Sequence, residues 1–190
     1  MAKRGKHKTP KQKAIYFWGR HAVEAALDNP DREVMKLLAT RDALATLDVP
    51  DGVTVQYCDV ADLGRLTPKE APHQGLVALV QPLDDVFLED ALVEGRDNIR
   101  PVLVLDQVTD PHNVGAIFRS AAAFNAVCVV TQDRHAPPES GVVAKAASGA
   151  LETVPWVRVV NLARALEEIA EAGYWRIGLT GHTDLTLENA

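Results

Sequence analysis

The chain has 190 residues, 47% of them apolar, and a formal net charge of −6, enough to bury a real core in one large domain or two small ones. Its two cysteines, Cys58 and Cys128, are too few and too far apart for a disulfide framework or a metal site and fit buried thiols in a reducing cytosol. No apolar run approaches the ~18 residues of a membrane span, and no apolar segment follows the basic N-terminus as a secretory signal would.

The first 13 residues (MAKRGKHKTPKQK) hold six Lys or Arg and no acid, so the rest of the chain carries a formal charge of −12. A basic, flexible tail over 1–14 therefore precedes an acidic body. Lys3, Arg4, Lys6 and Lys8 suit phosphate contacts with a polyanion such as RNA. A solvated terminus that only aids solubility explains the same residues equally well.

After the tail, Gly19-Arg20-His21 leads into a short helix stopped at Asn29-Pro30. Strand patterns over Val34–Ala39, Val53–Tyr57 and Gly75–Val80 alternate with helical ones over Arg41–Leu47 and Asp59–Leu66, so 15–80 reads as a small α/β domain. His73, opening the last of these strands, fits a local hydrogen-bonding device better than a ligand contact. Residues 81–100 are acidic, begin with Gln81-Pro82 and predict a linker with one amphipathic helix over Asp85–Glu94.

From Pro101 the pattern is strand and helix in alternation. Val102–Leu105, Val127–Thr131, Val157–Val160 and Trp175–Thr180 read as strands. Helices are predicted from Asn113, near Val142–Ala147 and after Asn161, the last ending at Gly173. Short links between alternating β and α mean a parallel sheet with helices on both faces.

The stretch Asp106–Ala121 (DQVTDPHNVGAIFRSA) joins a strand end, a turn and a helix start, the junction at which open α/β sheets bind ligands. Asn113 suits the N-cap, and Val114, Ile117, Phe118, Ala121 and Ala122 follow at the spacing of one buried face. As a plain cap Asn113 has no further role; as a site residue its amide would orient Arg119 or a ribose hydroxyl. Gly115 and Arg119 lie four apart, so Gly115 offers clearance for a sugar or phosphate beneath the guanidinium. A lone helix arginine is usually an ordinary surface residue, and a single histidine in a polar turn, His112, is weak evidence of acid–base chemistry. Neither a GxGxxG after a strand, nor a P-loop, nor a CxxC pair, nor a nucleophile elbow occurs, which argues against dinucleotide redox, nucleotide hydrolysis and a bound metal.

Asp110-Pro111-His112-Asn113-Val114-Gly115, with Arg119 and Ala121, resembles the first motif of the SpoU/TrmH family of RNA ribose 2′-O-methyltransferases, members of the knotted SPOUT superfamily. Lys145-Ala146-Ala147-Ser148-Gly149-Ala150 with Glu152-Thr153-Val154-Pro155 extends the likeness. GRHAVEAAL from Gly19 and HQGLVALV from His73 look like the two ends of the N-terminal domain of the branch that methylates a guanosine ribose in 23S ribosomal RNA. The resemblance runs from about Tyr16 to His182. It implies a small L30e-like α/β domain that binds RNA (15–80), followed by a parallel-sheet, SPOUT-type (α/β knot) domain over 101–190.

By the same resemblance the cofactor is S-adenosyl-L-methionine, the partner is RNA, and the enzyme is a cytoplasmic homodimer. Arg119 and Asn113 would serve catalysis. Gly115, His112, Arg20 and the tail residues would touch RNA, and Thr180 and Gly181 would touch the cofactor. Two later family motifs, one glycine- and glutamate-containing and one SLN-like, do not occur in these residues, which implies a domain cut before its knot. A non-catalytic RNA-binding fragment lacking the cofactor pocket is the alternative expectation. An unrelated flavodoxin-like domain is a weaker third, since no phosphate loop is present.

Overall fold

The computed structural model describes residues 13–95 and 100–182, with 186 and 189. The first part of the chain runs β1 (Ile15–Trp18), α1 (Arg20–Asp28), β2 (Val34–Ala39), α2 (Arg41–Leu44), β3 (Val55–Tyr57), α3 (Val60–Gly64) and β4 (Leu76–Val80). These strands form one sheet in the order β1-β4-β2-β3, with β4 antiparallel to both neighbours and β3 parallel to β2. Strand β4 (LVALV) is apolar throughout because it is central and covered on both faces. The α1 helix lays Ala22, Val23, Ala26 and Leu27 against the sheet, the spacing of one helical stripe. Strand β3 is the exposed outer edge, and its three residues face solvent.

The second part runs α4 (Leu88–Gly95), β5 (Val102–Leu105), α5 (Pro111–Ala123), β6 (Cys128–Gln132), α6 (Gly141–Ala147), a 3-10 turn (Ala150–Glu152), β7 (Trp156–Val159) and α7 (Leu162–Glu171). Its sheet is parallel, in the order β5-β6-β7. The faces separate by strict alternation. Val129 of β6 packs with α5 and α6, whereas Cys128 and Val130 pack with α4 and α7. The predicted doubly covered parallel sheet is therefore present. Among the described residues β5 pairs only with β6, and each of its residues is only partly buried, as an edge strand should be.

Two expectations differ from the structure. Residues 86–95 do more than link: Val86 makes a parallel bridge to Val157, which delays the helix to Leu88, and Leu88, Ala91 and Leu92 are buried against the second sheet. Trp175–Thr180 is not a strand. Its alternating pattern has the right period, but among the described residues no neighbouring strand offers it a ladder, and Trp175 is 87% and Leu179 84% exposed. No helix of the described residues is long and apolar enough to cross a membrane.

The two sheets share one core. Phe17, Leu37 and Leu76 of the first pack in the same cluster as Val114, Phe118 and Val143 of the second. Gly141 is required at the join because a Cβ there would collide with the Trp18 ring and the Tyr16 carbonyl. Arg32 locks the join. Its guanidinium donates to Glu139 Oε1 at 2.6 Å, to both Glu152 oxygens at 3.0 and 2.7 Å, and to the Gln81 carbonyl at 2.8 Å. Burial opposes the Arg32 charge, but the Glu152 hydrogen bond and the two carboxylates outweigh it and hold its pKa above the ordinary value.

Candidate functional site

The site begins where β5 ends. Asp106 and Gln107 follow the strand, Gln107 in the left-handed region at φ 56°, and Asp110 caps α5 by accepting the His112 N–H at 2.8 Å. Pro111 takes the first helical position, where its missing N–H removes nothing and its fixed φ suits the helix. The expected cap, Asn113, is therefore corrected to Asp110. The helix starts three residues earlier, because an Asp-Pro pair is already a complete start signal. Asn113 sits in the first turn with its side chain exposed and without a hydrogen bond to any described residue.

Arg119 is likewise exposed and makes no ion pair or hydrogen bond among the described residues. It is not hydrogen-bonded to Asn113. Val114, Phe118 and Ala121 are fully buried as the spacing predicts, and the Phe118 ring lies 5.1 Å from that of Trp156.

Gly115 is corrected. It is buried, and a Cβ there would lie 2.5 Å from Ala146 Cβ and 2.7 Å from the Val143 carbonyl. The clearance is filled by α6, so this glycine serves close helix packing and offers no room to a sugar or phosphate. The face it shares with Arg119 is covered at Gly115 and open at Arg119.

Beside this helix pair the structure assembles a polar cluster that the sequence did not single out. Lys145 of α6 donates to Gln74 Oε1 at 2.9 Å, and the same oxygen accepts the Arg20 backbone N–H at 3.0 Å. The Lys145 ammonium lies against the Cα of Gly19, whose φ of 82° and lack of a Cβ make the approach feasible. Partial burial lowers the Lys145 pKa below its usual value. Arg20 itself is engaged, reaching Glu24 Oε1 at 2.8 Å and Thr46 Oγ1 at 2.6 Å. Gln74 and Lys145 were legible only as members of the HQG and KAASGA stretches, since neither alone signals a site. His73 is the predicted local device, accepting the Gly75 N–H on Nδ1 at 3.1 Å.

His112 is exposed at the helix start. Thr180 and Gly181 are exposed, and Thr180 Oγ1 accepts the His182 N–H at 3.3 Å. Lys3, Arg4, Lys6 and Lys8 lie outside the described residues. A hollow of about 500 Å³ lies elsewhere, beside β7, and is lined by Asp84, Asp85, Asp90 and Glu139 with Arg158. Its acidity suits no phosphate.

A doubly wound α/β half with an open strand-to-helix junction, joined to a smaller α/β half, defines a two-part protein with its polar groups gathered where the halves meet. The family description "SpoU rRNA Methylase family" matches residues 100–189, and "RNA 2′-O ribose methyltransferase substrate binding" matches 16–86. The 23S rRNA (guanosine-2′-O-)-methyltransferase RlmB of Vibrio cholerae is 44% identical over 179 residues, covering 87% of this chain and 70% of that one. An uncharacterised tRNA/rRNA methyltransferase of Synechocystis is 38% identical over 185 residues, covering 92% of this chain and 47% of that one. The SpoU methyltransferase AviRb of Streptomyces viridochromogenes, solved in complex with the cofactor AdoMet, shares the fold with a TM-score of 0.61 at 22% identity, over 83% of this chain and 60% of that one.

The chain belongs to the SpoU family of RNA methyltransferases. It spans about half the length of the Synechocystis relative and 70% of the Vibrio one. The family's cofactor is S-adenosylmethionine. The end of β5 is bordered by an exposed loop, and Thr180 and Gly181 stand open to solvent.

Proposed function

We propose that this chain supplies the RNA-handling side of an S-adenosylmethionine-dependent enzyme that methylates a ribose 2′-hydroxyl, on a guanosine of 23S ribosomal RNA. The observation that carries the reading is the pair of unengaged polar side chains, Asn113 and Arg119, on the helix that opens at the carboxyl end of β5. Family membership supplies the reaction class, and the Vibrio relative's name supplies the nucleotide.

When bound, the cofactor provides an electrophilic methyl group. The chain's own part is to bind and orient the RNA. Arg119 is permanently charged and carries a planar fork of donors, so it holds a phosphate beside the target ribose and stabilises negative charge growing on the 2′-oxygen. Asn113 orients the ribose from the first turn. Arg119→Ala in the complete enzyme is expected to lower methyl transfer by at least a hundredfold with RNA affinity changed far less. Transfer near wild type with RNA still bound would refute the assignment.

In this reading the enzyme is a cytoplasmic homodimer. The free thiols Cys58 and Cys128 suit a reducing compartment, and a partner surface would cover the exposed Trp175 and Leu179. A second reading, RNA binding without catalysis by these 190 residues, is favoured by the solvent-open Thr180 and Gly181. Calorimetry with S-adenosylmethionine separates the two. Sub-millimolar binding to this chain supports a working pocket, and silence supports the second reading.

A further inference from the structure

Tyr57 stands 63% exposed on β3, the outer edge of the first sheet, with the Arg41 guanidinium 5.9 Å from its ring centroid. Its cross-strand neighbour is the fully buried Ala39, too small to shield the ring. Together Arg41, Leu44, Ala45 and Tyr57 bound a shallow hollow of about 510 Å³. Burying a tyrosine ring removes a large apolar area from water, and this one is left out while a cation is placed beside it. An exposed ring with an adjacent guanidinium is the arrangement on which nucleobases stack.

A chain of hydrogen bonds links the rim of the hollow to the cluster at the join of the halves. Lys145 is bonded to Gln74, Gln74 to the start of α1, and Arg20 to Thr46, which directly follows Ala45 at the rim of the hollow. Three cations, Lys145, Arg20 and Arg41, thus lie along this series of contacts between α6 and Tyr57. The nearby acids are partly committed. Glu24 pairs with Arg20 at 2.8 Å, so Arg20 reaches a phosphate only by sharing its guanidinium. Asp59 caps α3 and Asp62 pairs with Arg65 at 2.5 Å, while Asp42 lies in the first turn of α2.

Resting on the RNA reading above, we infer that Tyr57 and Arg41 form a stacking platform for an unpaired nucleobase of the substrate. The path past Arg20 and Lys145 carries the connecting phosphates toward the Asn113 helix. The occupant is single-stranded RNA, because a flat ring, a guanidinium and a line of cations complement bases and phosphates together.

The test is binding of a short oligouridylate to the whole 190-residue chain, with Tyr57→Ala, Tyr57→Leu and Tyr57→Trp compared at fixed salt. Removing the ring is expected to weaken binding about tenfold, with Trp restoring it and Leu, which keeps bulk on the strand, failing to do so. Arg20→Gln and Lys145→Gln should each reduce the salt dependence of binding by about one counterion. Photocrosslinking of 5-iodouridine-containing RNA should map to Tyr57.

Wild-type affinity in Tyr57→Ala and Tyr57→Leu, with Arg20→Gln still weakened, would overturn the platform and leave the RNA reading standing. Loss of self-association in Tyr57→Ala with RNA affinity unchanged would overturn it in favour of a protein contact. No RNA binding by the wild-type chain would overturn both.

Discussion

Arg32 and Glu152 are joined by two parallel hydrogen bonds, Nε to Oε2 at 3.0 Å and Nη2 to Oε1 at 2.7 Å, across the join between the two sheets. The Arg32 side chain is 0% and that of Glu152 3% exposed, so the pair is desolvated on both sides. Asn29 adds a hydrogen bond to Glu152 Oε2 at 2.8 Å, and the Phe17 ring lies 5.1 Å from the guanidinium carbon. Truncating one member leaves a buried, uncompensated charge. Arg32→Ala is expected to cost about 3–5 kcal/mol, read as a lowered urea midpoint. Arg32→Lys cannot reproduce the fork and should recover only part of that loss.

Gly115 gives the second prediction. Gly115→Ala places a methyl group against the α6 backbone, and neither helix can move without disturbing Val114 and Val143 in the shared core. The substitution should destabilise the fold by about 1–3 kcal/mol, measured by denaturant unfolding. If Gly115 instead provided clearance for RNA, the variant would keep its stability and lose RNA affinity.

The correction of the helix cap is testable in the same way. Asp110→Ala removes an acceptor from the His112 N–H and should cost about 1 kcal/mol. Asn113→Ala, at an exposed side chain without a described partner, should change stability by no more than about 0.5 kcal/mol while lowering methyl transfer in the complete enzyme. Thermal melts of the two variants side by side distinguish cap from site.

Cys128 supplies a pH dependence. It is completely buried, and burial pushes its thiol from the ordinary value of 9.0 up to about 12, with Arg100 pulling weakly the other way. Because the folded-state value is raised, its contribution to stability is full below about pH 9 and is lost as pH rises toward 12. Burial raises Tyr174 as well, so Cys128→Ala is the control that isolates the thiol. The wild-type chain should lose more stability than this variant between pH 9 and 11. Thiol reagents should label Cys58, which is partly exposed, and spare Cys128 until unfolding.

Much of the fold was legible because the periods were clean. Strand Val34–Ala39 begins and ends where the pattern placed it, and Asn161 caps α7 with Gly173 in the left-handed region after its end. What sequence could not supply was partnership. The alternating segment from Trp175 has the pattern of a strand but no ladder, and the linker residues Leu88 and Leu92 are apolar because the second sheet covers them. At the site, the motif singled out Arg119 and Asn113, which stand exposed on α5, whereas Gly115 was misread because a glycine under a neighbouring helix and a glycine under a ligand look alike in sequence. The Lys145 and Gln74 contact joins residues 71 positions apart, a distance that no local pattern spans.

In the proposed function the Asn113 helix handles the ribose of an RNA substrate and Arg119 assists its methylation. The most direct measurement is transfer of labelled methyl from S-adenosylmethionine to 23S ribosomal RNA by the complete enzyme, followed by nuclease digestion and identification of the labelled nucleoside. The expected result is label in 2′-O-methylguanosine, reduced at least a hundredfold by Arg119→Ala while the variant still binds the RNA. Label on a base in place of a ribose, or undiminished transfer by Arg119→Ala, would contradict it.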